Sequence, residues 1–178
     1  TDKDVMSVVS VLHTQKLVQQ FSCLLKSENA EKTQLFWDAV LALPRLECLR
    51  VSMSSRATLE ATRQLSIAVQ KKTILRSLEI DSFATSFHVF AENFVPPSSL
   101  LELGVCSSIA MELATNFFPR LKRFTKLRCL KISGADILNE LEASHLVDEG
   151  WLLHVEPLKN CSENLVNLLR RNMNRHCS

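Results

Sequence analysis

At 178 residues, with 46% apolar and 22% charged side chains, the chain has the balance of a folded globular domain and not of a disordered tail. A net charge of +2 gives no whole-chain basic footprint for nucleic acid or an anionic membrane. No apolar run approaches the roughly 20 residues needed to cross a bilayer, and the start TDKDVMSVV lacks the basic end and apolar core of a signal peptide.

The first 45 residues read as mostly helical. Leu17, Phe21, Leu24 and Leu25 fall at i, i+4, i+7 and i+8, one helix face. After the polar break Lys26-Ser27-Glu28-Asn29, the stripe Phe36, Ala39, Val40 and Leu43 predicts a second helix, ended by Pro44. Residues 5–12 (VMSVVSVL) resemble a degenerate strand, but the gap from Val5 to Leu46 is too long for one plain repeat. The segment 1–45 is therefore expected to be an N-terminal helical cap or a degenerate first repeat.

A strand motif then recurs. It appears as Leu46-x-x-Leu49-x-Val51, Leu75-x-x-Leu78-x-Ile80, Leu100-x-x-Leu103-x-Val105 and Leu127-x-x-Leu130-x-Ile132. The leading leucines are 29, 25 and 27 residues apart. Helical stripes follow the motifs: Ala61, Leu65, Ala68, Val69; then Phe87, Phe90, Ala91, Phe94; then Ala110, Leu113, Ala114, Phe117; then the shorter Ile137, Leu138, Leu141. A fifth strand is expected at Trp151–Val155, lacking its leading leucine. A closing helix after Ser162 carries Leu165, Leu168 and Leu169 inward, with Glu163 in its first turn and Arg170, Arg171 in its last, the order a helix dipole favours. One strand with one helix cannot bury its own apolar face, so units must stack. The expected fold is α/β: a leucine-rich-repeat solenoid with a parallel concave sheet and convex helices over 46–156, capped by 157–178.

This alternation resembles the ribonuclease-inhibitor-like class of leucine-rich repeats. That class usually places Asn or Cys three residues after the third motif position, where this chain has Ser54, Phe83, Ser108 and Ala135. The resemblance implies an intracellular repeat region such as the sensing or autoinhibitory part of an innate immune receptor, or the substrate-recruiting arm of a ubiquitin ligase. No glycine-rich phosphate loop accompanies it.

In a parallel sheet the leucine positions point inward and the intervening ones face out. The expected partner-binding face therefore includes Arg50, Ser52, Glu79, Asp81, Glu102, Lys131 and His154, with Arg50 beside Glu79 and an acidic centre flanked by Arg50 and Lys131. Its mixed signs suit a protein partner better than a phosphate-rich one. The function expected is non-enzymatic protein recognition, without cofactor or metal, and self-association through the repeat ends stays open.

Other classes stay open beside it. Cys129 with His154 would be the pair for a cysteine enzyme, although no Asn or Asp is placed to orient the imidazole. Arg120, Lys122, Arg123 and Lys126, with Arg170, Arg171 and Arg175, form basic edges for nucleic acid, but no aromatic residues interleave them for stacking. His145, His154, Cys161, His176 and Cys177 lack metal-ligand spacing. The six cysteines contain no C-x-x-C pair, which reads as reduced thiols of a cytoplasmic or nuclear protein. Asn160-Cys161-Ser162 matches the glycosylation pattern. Trp37 falls off its helix stripe and is either a packing residue or an exposed contact.

Overall fold

A computed structural model describes residues 11–12, 14–25, 29–53, 59–81, 89–90, 92–106, 126–133, 152–156 and 163–177. Six strands form one sheet: β1 (Gln20–Leu25), β2 (Cys48–Met53), β3 (Ser77–Asp81), β4 (Glu102–Cys106), β5 (Cys129–Ser133) and β6 (Leu152–Glu156). Each pairs in parallel with its sequence neighbours, so spatial order equals chain order. The longer helices among the described residues are α1 (Ala30–Ala42), α2 (Leu59–Gln70) and α3 (Glu163–Cys177).

The period of two dictates which side is core. In β2, Leu49, Val51 and Met53 are buried, while Arg50 between them is exposed. Leu78 and Ile80 of β3, then Leu103 and Val105 of β4, continue this inner layer. The leading leucines Leu46, Leu75, Leu100 and Leu127 are all buried in the turns before their strands. Those turns repeat one polar device. The Gln19 carbonyl accepts from both Glu47 N and Cys48 N, at 2.8 and 2.9 Å. The carbonyls of Glu47, Arg76 and Leu101 each accept two consecutive amides of the next unit in the same way.

Helix α1 starts where Asn29 caps it, its side chain accepting from Lys32 N at 3.0 Å. Its far end is closed from another unit. Buried Lys72 donates from Nζ to the carbonyl of Leu41 at 2.8 Å and to that of Leu43, which also accepts from Leu46 N, at the end where helix carbonyls lack intrahelical partners. Helix α2 buries the expected Ala61, Leu65, Ala68 and Val69. Phe90 and Phe94 are also buried, with ring centroids 4.6 Å apart in a stacked pair. Trp37 is fully buried, edge-on to Phe36 at 5.0 Å, so its role is packing.

The N-terminal reading needs correction. Residues 20–25 form strand β1, not a helix, so an N-terminal helical pair does not precede the sheet. Of residues 5–12, expected as a strand, Val11 and Leu12 are helical and the others lie outside the described residues. The cause is visible in β1. Leu24 is 55% exposed, whereas Phe21 and Cys23 pack partly buried against the core, as alternation requires. The expected stripes at 110–117 and 137–141, with Phe87 and Ala91, lie outside the described residues. The last helix lies where expected, with Leu169 buried and Leu168 packed against the core, but it runs on to Cys177, so Arg170 and Arg171 sit in its middle and not in its last turn.

Candidate functional site

The outward face of the sheet is set by register. Its central row runs Ser22, Arg50, Glu79, Gly104, Lys131, His154 across β1 to β6. On one side lies Gln20, Cys48, Ser77, Glu102, Cys129, Leu152; on the other Leu24, Ser52, Asp81, Cys106, Ser133, Glu156. The structure thus brings six of the expected positions, Arg50, Ser52, Glu79, Asp81, Glu102 and Lys131, onto four neighbouring strands. His154 extends the central row by backbone register with Lys131.

The charges pair across strands. Arg50 Nη2 lies 2.6 Å from Glu79 Oε1, and Lys131 Nζ lies 3.2 Å from Glu102 Oε2. Ser77 Oγ donates to the same Glu102 oxygen at 3.4 Å. Burial pulls Lys131 down, but Glu102, and Glu79 behind it, outweigh this and hold its ammonium above the ordinary lysine value. Both ion pairs are open to water, with side-chain exposures of 60% and 36% for the first and 49% and 45% for the second. Pairs so exposed contribute about 0–1 kcal/mol each to stability. They are accessible, which matters more for recognition than for folding. Asp81 is exposed beside Ser52 and Cys106 and has no ion-pair partner among the described residues.

Gly104 shapes the centre of this row. A Cβ placed there would meet Glu79 Cγ at 2.9 Å, because the Glu79 side chain lies over the glycine. Gly104→Ala is therefore expected to displace Glu79 and open its pair with Arg50. The lost pair, about 0–1 kcal/mol, is offset by the roughly 0.5–1 kcal/mol that alanine gains over glycine in a strand. Urea denaturation should show little change, while the NMR signal of the Arg50 Nε–H moves. An unmoved Arg50 signal would contradict this packing.

The thiols of Cys48 and Cys129 on this face are not activated. Burial pushes the thiols of Cys48 and Cys129 up from their ordinary value, and neighbouring Glu102 adds to it while Lys131 opposes it. Cys129 is buried and registers with Leu152, whereas His154 registers with Lys131, so the expected cysteine–histidine pair sits on different rows. Among the described residues no cluster of three or more His, Cys, Asp or Glu could hold a metal ion, and no helix is long and apolar enough to cross a membrane. Of the basic edges, Lys126, Arg170 and Arg171 are exposed; Arg120, Lys122 and Arg123 lie outside the described residues, as do the positions Ser54, Phe83, Ser108 and Ala135 and the pattern Asn160-Cys161-Ser162.

Sequence reasoning missed the contribution of β1, whose Gln20, Ser22 and Leu24 extend all three rows. The signal was present as Val18-x-x-Phe21-x-Cys23, which places Val18 28 residues before Leu46.

No family model and no curated protein sequence matches the chain. Solved structures do. One similar structure is the leiomodin-1 actin-binding site 2, with a TM-score of 0.56 and 15% identity over 98% of this chain and 90% of that one. Another is the tropomodulin C-terminal domain of Caenorhabditis elegans, with a TM-score of 0.54 and 15% identity over 98% and 96% of the two chains. These likenesses concern the fold. They overturn the resemblance to ribonuclease-inhibitor-like leucine-rich repeats of innate immune receptors, which neither a family model nor a curated protein supports. The physical reason is that the Leu-x-x-Leu-x-Leu spacing reports inward positions of a parallel strand and its turn. It carries no information about the protein in which that strand serves.

Proposed function

We propose that this chain is a protein-recognition domain that engages its partner through the charged outer face of the sheet. One observation carries the reading. All-parallel sheets ordinarily have both faces covered by helices, yet Arg50, Glu79, Glu102 and Lys131 stand on one face of this sheet open to water. Exposed, register-aligned charges of both signs favour specific, electrostatically complementary docking over binding to a uniformly anionic polymer. The raised thiols and the separation of Cys129 from His154 support a non-enzymatic role. A cytoplasmic setting agrees with the free cysteines Cys23, Cys48 and Cys129. Actin is the partner to test first, because one protein of the same fold is by name an actin-binding site.

The test is co-sedimentation with actin filaments, and affinity capture from cytosolic extract, for the wild type and for Glu79→Lys/Glu102→Lys. A partner retained by the wild type should be lost by the variant. Stability should fall by no more than about 1 kcal/mol per ion pair removed, read from the thermal midpoint. Equal capture by both proteins would remove the sheet face from consideration.

A further inference from the structure

A second surface lies at the end of the sheet where the strands begin. There the turns before β2, β3 and β4 enclose an open cavity of about 480 Å³, lined among others by Pro44, Arg45, Glu47, Ile74 and Arg76. The charge is one-sided. Arg45 has no ion-pair partner among the described residues, and Arg76 is shared only loosely with Glu47, its Nε 3.6 Å from Oε2. Lys126 and Arg128, both exposed, occupy in the turn before β5 the motif positions that Arg45 and Glu47 hold before β2. Among the described residues this edge thus carries four cations against one carboxylate, the opposite lean from the sheet face, where Glu79, Asp81 and Glu102 outnumber Arg50 and Lys131. Its cavity also has an apolar wall, because Ile74 is 38% exposed beside Pro44.

We infer that this cavity binds an acidic peptide segment carrying an aliphatic side chain, the carboxylates on Arg45 and Arg76 and the aliphatic group against Ile74 and Pro44. Guanidinium groups bind carboxylates through two parallel hydrogen bonds, and the Nη atoms of Arg76 lie beyond the atom nearest Glu47. A nucleic acid is disfavoured here because no aromatic ring lines the cavity for base stacking. A membrane surface is disfavoured because Arg45 and Arg76 line a recess that also holds the carboxylate of Glu47.

The test is fluorescence anisotropy on the whole chain with a labelled peptide of sequence Glu-Asp-Leu-Glu-Asp. The controls are the same peptide with Ser for Leu, a labelled oligothymidine, and vesicles containing phosphatidylserine. Saturable binding of the first peptide is expected, about tenfold weaker with Arg45→Glu/Arg76→Glu and weaker also with Ser for Leu. Arg45→Gln/Arg76→Gln, which changes charge without reversing it, should show an intermediate loss, and circular dichroism verifies that both variants fold. Glu79→Lys/Glu102→Lys should bind the peptide like the wild type, so this result stands or falls apart from the sheet face. Binding unchanged in the arginine variants, tighter binding of the oligonucleotide or the vesicles, or no peptide binding at all would each overturn the assignment.

Discussion

Trp37→Ala is expected to destabilise the protein by about 3–5 kcal/mol, the range for removing a large aromatic from a core that cannot collapse around the gap. Trp37 is fully buried in α1, and its ring contacts Phe36, which in turn meets Phe21 of β1 at 6.1 Å, so the cavity would adjoin the ring cluster that ties α1 to the first strand. Trp37→Phe should behave quite differently. The indole Nε1 is buried without a hydrogen-bond partner among the described residues, a condition that costs about 1–3 kcal/mol. Phenylalanine removes that donor while keeping most of the ring, and the two effects should leave stability within about 1 kcal/mol of wild type. Urea denaturation of the two variants decides the matter. A phenylalanine variant as damaged as the alanine one would mean that the indole nitrogen is satisfied in solution.

The second large effect is alkaline unfolding driven by Cys23. Burial pushes its thiol from 9.0 up to about 12. Below 9.0 the thiol is protonated in both folded and unfolded chains, so its contribution is fully present. Above 9.0 the unfolded chain loses the proton while the folded one keeps it, and stability falls as pH rises toward 12. The slope approaches 1.4 kcal/mol per pH unit and sums to at most about 4 kcal/mol over the window. Cys48 and Cys129, also raised, act in the same direction. Lys72 opposes them: burial lowers its ammonium below 10.5, so the unfolded chain holds the extra proton just under that value. Urea titrations at about pH 8 and about pH 11 should show Cys23→Val losing distinctly less stability than the wild type, by most of that sum. Parallel loss in both proteins would place the alkaline sensitivity elsewhere.

The strands were legible wherever leucine, isoleucine or valine filled the inward positions, because a period of two states both the element and its buried side. The same alternation places Arg50 beside Glu79, and the pair stands at 2.6 Å. Strand β1 escaped for a physical reason. Phe21, Leu24 and Leu25 have helical spacing, and its true inward residues Phe21 and Cys23 are not the aliphatic ones that mark the other strands. Other features depend on side-chain direction, which spacing does not encode. That Glu79 would lie over Gly104 needs the rotamer. That Lys72, in a run of two lysines, would be only 7% exposed runs against the ordinary preference of lysine for water. Its burial follows from its bonds to the carbonyls of Leu41 and Leu43 at the end of α1, a demand made by another unit.

The doubly accepting carbonyls of Gln19, Glu47, Arg76 and Leu101 have a mechanical consequence. Each of these four junctions uses the same two amides and one oxygen, so these bonds run along the stacking direction and none reinforces its neighbour across it. A load drawing the first and last strands apart would open these junctions one after another, as a zipper opens, instead of shearing them together. The domain should therefore yield gradually under tension applied from end to end. It should resist far better when force is applied along the strands.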